Sequence, residues 1–164
     1  MKKITALFLF FALFLCGCAS GSKGEKSYSL PQTPVTVSFK EDETYISGVM
    51  NYVSPQEMTF SLSLPKEAEG FVFLLKDGSF SLGFDGVFCT AENLQNLFGR
   101  SKGFQTLFEA LSALGEKENT FSKPKVKFSY PLGEAVVSFD EGGFLKSLRA
   151  GAYDFEFTKI TENA

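Results

Sequence analysis

Three stretches of this chain alternate between apolar and polar residues. Val35, Val37 and Phe39 are separated by Thr36 and Ser38; Met58, Phe60, Leu62 and Leu64 by Thr59, Ser61 and Ser63; Phe80, Leu82 and Phe84 by Ser81 and Gly83. A period of two sends successive side chains to opposite faces, so each stretch predicts a strand with one wet face. Glu43 to Val53 and Gly70 to Leu75 also predict extended chain. Within the latter, Phe71-Val72-Phe73-Leu74-Leu75 is apolar on both faces and is expected to be covered on two sides or to lie against a ligand. Lys76-Asp77-Gly78 predicts a hairpin turn, its glycine taking positive φ at no steric cost.

The period then changes. After Thr90, a candidate N-cap, Leu94, Leu97 and Phe98 fall at i, i+3 and i+4, and Gly99 ends the run. A second run opens at Ser101 and aligns Phe104, Leu107, Phe108, Leu111 and Leu114 on one stripe before Gly115. A short helix and a longer amphipathic one are thus predicted, followed by a polar loop from Glu116 to Pro124. Four more extended segments close the chain: Lys125 to Tyr130, Ala135 to Phe139, Phe144 to Arg149 after the turn Asp140-Glu141-Gly142-Gly143, and Tyr153 to Thr158. The count is about nine strands with the helices grouped mid-chain, and short turns between consecutive strands imply an antiparallel sheet in an α+β fold.

The N-terminus belongs to neither pattern. Lys2 and Lys3 precede an apolar stretch from Ile4 to Leu15 broken only by Thr5, too short for the roughly 20 residues that span a bilayer. Leu15-Cys16-Gly17-Cys18 resembles the cleavage box of bacterial lipoproteins. Small Gly17 precedes Cys18 whereas bulky Leu15 precedes Cys16, which selects Cys18 as the modified residue. The resemblance implies removal of residues 1–17, a diacylglyceryl group on the Cys18 sulfur, and a membrane partner held through that covalent lipid. Two acyl chains anchor stably where one does so marginally. The competing reading is a secretory peptide cut near Ala19 or Ser20. With the lipid, the address is extracytoplasmic, on a cell membrane or outer membrane; Ala19 after the cysteine would, by resemblance, permit outer-membrane sorting.

Charge and composition narrow what the remainder does. Of 16 basic residues, Lys2 and Lys3 leave with the leader, so the mature chain carries 14 against 19 acidic ones, a net charge of −5. That balance argues against nucleic acid as a partner and against charge-driven adhesion to anionic headgroups, so no nucleic acid is expected. Residues 18–34, rich in Gly, Ser, Lys and Pro, are expected to form a lipidated flexible tether, with the domain spanning 35–164. Once Cys18 is acylated, Cys89 is the one thiol left, so no intramolecular disulfide forms; within Val87-Phe88-Cys89 it is expected to be a small buried hydrophobe. The chain has no histidine, which removes the commonest general base and metal ligand.

A sheet with one Ser/Thr/Lys face and one Phe/Val/Leu face must cover the latter, and the Phe104 to Leu114 stripe is the helical surface available. The layout resembles the LolA/LolB/LppX-like superfamily of envelope proteins, in particular clostridial GerS-type lipoproteins. The likeness rests on the Tyr45 to Tyr52, Met58 to Pro65 and Gly70 to Leu75 strands, the Gly86 to Leu114 insertion, and the hairpin from Val136-Val137-Ser138-Phe139-Asp140 to Gly143-Phe144-Leu145-Lys146-Ser147-Leu148. It implies a curved antiparallel half-barrel sheet whose concave apolar face is covered by the mid-chain helices.

Twenty phenylalanines are present, and four lie in the leader, so sixteen remain in a domain without tryptophan. Each buried ring removes about 150–250 Å² from water. Core packing alone accounts for them in one reading; in the other, an underfilled hollow accepts acyl chains, with Phe71, Phe73, Phe104 and Phe108 lining it.

Enzymatic motifs are thin. Ser63-x-x-Lys66, Ser122-x-x-Lys125 and Ser20-x-x-Lys23 match S-x-x-K, but the S-D-N and K-T-G elements that accompany it in penicillin-recognising enzymes are missing. No phosphate loop, dinucleotide fingerprint or calcium-loop spacing occurs, and no catalytic residue, metal or cofactor is expected. The sequence therefore predicts a non-catalytic envelope interaction or scaffold module that binds another envelope protein, with a lipid- or lipoprotein-handling module binding a hydrophobic ligand as the alternative.

Overall fold

The computed structural model describes residues 26–90, 102–117 and 120–160. The leader, Cys18 and the predicted short helix around Leu94 to Phe98 lie outside the described residues. The nine predicted strands are all present: β2 (Val35–Glu41), β3 (Thr44–Ser54), β4 (Glu57–Leu64), β5 (Val72–Lys76), β6 (Ser79–Phe84), β9 (Lys125–Tyr130), β10 (Gly133–Phe139), β11 (Leu145–Ala150) and β12 (Tyr153–Lys159). Three more occur among the described residues: β1 (Tyr28–Ser29), β7 (Val87–Thr90) and β8 (Thr120–Phe121).

Ten strands form one antiparallel sheet in the order β7-β6-β5-β4-β3-β2-β12-β11-β10-β9. The chain meanders outward from β2 to β7, and returns inward from β9 to β12. The two halves are stitched where β12 pairs antiparallel with β2, Phe157 opposite Val37 and Glu156 opposite Ser38. The sheet is open, with β7 and β9 as its two edges. Short turns carry the meander. Asp77-Gly78 and Asp85-Gly86 both have positive φ at both positions, the type I′ geometry whose twist matches that of the flanking strands.

Among the described residues one α-helix, α1 (Lys102–Lys117), lies between β7 and β8 and covers one face of the sheet. Its predicted stripe of Phe104, Leu107, Phe108, Leu111 and Leu114 is buried throughout. The helix runs two residues past Gly115, so the predicted polar loop begins only after Lys117. The strand face beneath it supplies Val37, Met50, Met58, Phe60, Val137, Leu148 and Phe155, all essentially inaccessible. Opposite positions on β2 and β4 are mostly polar and half-exposed, as in the buried/intermediate alternation of β2.

Two boundaries differ from the sequence expectation. Tyr28 and Leu30, assigned to a flexible tether, are buried, and β1 pairs with β8 through Tyr28 opposite Phe121. That strap also places a strand inside the predicted loop from Glu116 to Pro124. Its hydrophobic partner is Phe139, whose ring centroid lies 5.5 Å from Tyr28 and 5.6 Å from Phe121. Two residues that pair neither with a contiguous apolar run nor with a local turn leave no periodic signal, which is why the composition alone read as linker. The packed domain therefore starts at Tyr28, seven residues before Val35.

Candidate functional site

The face between α1 and the sheet is built of aromatic rings. Phe104 stacks on Phe73 of β5, centroids 4.0 Å apart and planes 17° apart, and meets Phe60 of β4 at 5.1 Å and Phe39 of β2 at 5.2 Å edge to face. One turn on, Phe108 packs against Phe80 of β6 at 5.7 Å. Offset and T-shaped contacts of this kind add about 0.5–1.5 kcal/mol each beyond area burial. The helix comes this close because its first and last turns carry glycine: a Cβ on Gly103 would run into the Phe39 ring, and one on Gly115 into the Tyr52 hydroxyl.

Polar pins hold the helix at both ends. At its start, the Gly103 N–H donates to Glu41 Oε1 at 3.0 Å, and the Tyr153 hydroxyl donates to the same oxygen at 3.1 Å. Near its end, Ser112 Oγ donates to the Pro55 carbonyl at 2.6 Å. Burial and then the Glu41 carboxylate push the Tyr153 hydroxyl up to about 12. Burial and then Glu116 do the same to Tyr52, also up to about 12. The Tyr52 hydroxyl has no hydrogen-bond partner among the described residues.

Of the four phenylalanines predicted to line a hollow, Phe104 and Phe108 are core residues, 3% and 0% exposed. Phe73 is half-buried and stacked on Phe104. Phe71 stands apart from them: its ring lies 4.7 Å from that of Phe84, at the far corner of the sheet. A cavity of about 290 Å³ does exist, but at the other end of α1, lined by Pro55, Gln56, Leu75, Asp77, Gly78, Ser112 and Glu116. None of the four phenylalanines borders it, and two of its walls are carboxylates.

The corner at Phe71 was not legible as a surface. Phe80 faces the helix, so Leu82 and Phe84 share that face, and pairing of Phe84 with Val87 and Leu82 with Cys89 extends it onto β7. There Phe84 is 51% and Val87 69% exposed. On the opposite face Phe88, 49% exposed, lies across Gly83 beside the half-buried Val72 and Leu74. The doubly apolar β5 is thus only partly covered. Cys89 is exposed, which corrects the expectation of a buried thiol: β7 lies at the edge of the sheet, so its side chains have a neighbouring strand on one side among the described residues. The signal available was the uncharged run Val87-Phe88-Cys89-Thr90 directly after an Asp-Gly turn. At the other edge, β9 carries Lys125 and Lys127, the usual guard against strand addition.

The S-x-x-K pairs make no catalytic arrangement in the fold. The Lys66 ammonium binds Glu69 Oε2 at 3.0 Å, and Ser122 and Lys125 flank the entry to β9 on exposed chain; Ser20 and Lys23 lie outside the described residues. Among the described residues no three Asp, Glu or Cys side chains cluster with metal-binding geometry. No protein-family model matches the sequence, and no curated protein matches it either.

Proposed function

We propose that this protein is a lipid-anchored, extracytoplasmic lipoprotein whose domain is a half-barrel of the LolA/LolB/LppX-like kind, acting as a non-catalytic interaction module for another envelope protein. The observation that carries this reading is the ring packing under α1. A carrier site needs an apolar cavity of about 300–1,000 Å³, whereas Phe104 and Phe108 occupy the space between helix and sheet themselves. Exposed large hydrophobics also occur at Tyr45, Val53, Leu132 and Ile160, but the β6–β7 corner brings three together, Phe84, Val87 and Phe88, at a strand that is an edge among the described residues, the setting used in strand addition.

The test is crosslinking in native membranes with a photoreactive residue at Val87, compared with one at Glu156 on the polar face of β12. A discrete adduct with an envelope protein from position 87 alone is the expected result. Saturable uptake of a fluorescent fatty acid by the delipidated chain, with no protein adduct, would move the assignment to the lipid-handling alternative, in which Phe71, Phe73 and Phe84 form the rim.

A further inference from the structure

Strand directions give the sheet two distinct ends. One end gathers the start of β2, the close of β12, the β10–β11 turn, the start of β9 and the β1–β8 strap. The opposite end gathers the β2–β3, β4–β5 and β6–β7 connections and the first turn of α1. Charge divides between them. Glu41, Asp42, Glu43, Glu67, Glu69 and Asp85 sit at the second end, with Lys40, Lys66 and Lys102 as the lysines there. At the first end, beneath β9 to β12, stand Lys26, Lys123, Lys125, Lys146 and Lys159, all exposed.

Among the described residues those five lysines face two carboxylates, Asp140 and Glu141. Lys123, Lys125 and Lys146 make no ion pair among the described residues. Lys26 donates to the Glu141 carbonyl at 3.5 Å, and Lys159 lies 5.0 Å over the Phe144 ring. Of these two, Asp140 Oδ1 already accepts from the N–H groups of Gly142 and Phe144. Beneath β3 to β6 the same end is mixed, with Lys76 and Lys117 against Glu57, Asp77 and Glu116. The described chain begins at Lys26 in this basic corner, with Ser27 packed against Gly143 of the β10–β11 turn. Seven residues, eight Cα-to-Cα steps, separate it from Cys18, so an anchor there cannot hold the corner more than about 29 Å away.

We infer that this basic corner docks on an anionic lipid surface, so that the lipid-anchored domain stands with β9 to β12 ends on the headgroups and its acidic end facing outward. The net charge of −5 conceals the arrangement because the near end is basic beneath β9 to β12 alone, while six carboxylates stand against three lysines at the far end. The inference rests on the anchor reading for its orientation. Each lysine brought to an anionic surface strengthens attachment about fivefold, and the effect falls off within a Debye length of about 8–10 Å, so only the near end contributes.

The experiment is lysine acetylation footprinting of the full mature chain on phosphatidylglycerol-containing and on purely phosphatidylcholine vesicles, read by mass spectrometry. Acetylation of Lys26, Lys123, Lys125, Lys146 and Lys159 is expected to slow at least fivefold on the anionic vesicles, reversibly in 0.5 M salt, while Lys40, Lys66 and Lys102 keep one rate. A second chain with Lys123→Glu, Lys125→Glu and Lys146→Glu, all exposed positions, is expected to lose the protection of Lys26 and Lys159. Equal rates on both vesicles, or equal protection of both lysine groups, overturns the inference. So does equal protection that persists on phosphatidylcholine, since proximity imposed by the anchor, and not lipid charge, would then be covering this end. The N-terminal peptide mass reports acylation separately: an unacylated Cys18 overturns the anchor reading alone, and the docking then stands or falls on the same lysine pattern with the chain added to anionic vesicles.

Discussion

The Phe104 ring lies face to face with Phe73, 4.0 Å between centroids, and this single stack ties α1 to β5 across the helix-side face of the sheet. Because Phe104 also touches Phe39 and Phe60, its removal opens a cavity bordered by three strands. Phe104→Ala is expected to cost about 3–5 kcal/mol, the range for a fully buried aromatic. Phe71→Ala, at the half-exposed corner, is expected to cost less than half as much. Urea denaturation of the two variants against the parent measures both.

Gly115 and Tyr52 form a second coupled pair. Gly115→Ala drives a methyl group into the Tyr52 hydroxyl, and is expected to destabilise by about 1–3 kcal/mol, as overpacking does. Tyr52→Phe removes a buried hydroxyl that has no partner among the described residues and is expected to be neutral or slightly stabilising. In combination it should recover much of the Gly115→Ala loss. A double-mutant cycle by thermal denaturation checks this; strict additivity would show that the hydroxyl is not the obstacle.

The strap sets a truncation limit. Removing residues up to 25 is expected to leave stability unchanged, whereas removal up to 34 deletes Tyr28 and Leu30 from the core. Leu30→Ala alone should cost about 2–5 kcal/mol. Circular-dichroism melts of the two truncations and the point variant decide where the domain begins. By the same logic Cys18→Ala, eight residues before the described chain, should alter membrane fractionation and processing without lowering the melting temperature.

Alkaline pH should unfold the domain through Tyr52 and Tyr153. Both hydroxyls are raised from 10.0 to about 12 by burial first, with Glu116 and Glu41 respectively adding to it. Folding therefore favours the neutral phenol: the stabilisation is whole below pH 10 and is lost as pH rises through 12. Tyrosinate absorbance is expected to show these two ionising late and together with loss of the circular-dichroism signal, and Tyr52→Phe/Tyr153→Phe should flatten the stability profile between those limits.

The strands of the main sheet were readable because each carries its own evidence. Alternation in Val35 to Phe39 and Met58 to Leu64 assigns a face to every residue without reference to any other segment, and Asp77-Gly78 assigns its turn by backbone sterics alone. The Phe104 to Leu114 stripe did the same for α1. Tyr28 and Leu30 were unreadable for the converse reason: two apolar residues among Ser, Pro and Gln have no period, and their burial depends on Phe121 and Phe139, about a hundred residues away in the chain.

Among the four candidate phenylalanines, the helical stripe rightly marked Phe104 and Phe108 as inward-facing, but inward-facing positions look alike whether the space they enter is empty or full. Only the approach of α1 to within ring-stacking distance of β5, made possible at Gly103 and Gly115, decides that Phe104 fills its site. Cys89 shows the same limit at the edge. An apolar neighbourhood in sequence became an exposed one because β7 ends the sheet order among the described residues.

By itself the amino-acid order determined which residues extend, where they turn, and which side of each element is apolar, since those properties depend on backbone sterics and on spacing within a few residues. The tertiary structure alone decided that β12 closes against β2, that the strap belongs to the core, that β7 lies at the edge of the described sheet, and that five lysines gather beneath β9 to β12. These depend on which distant segments pair and in which direction, a choice made by burying all the apolar faces together rather than by any one of them.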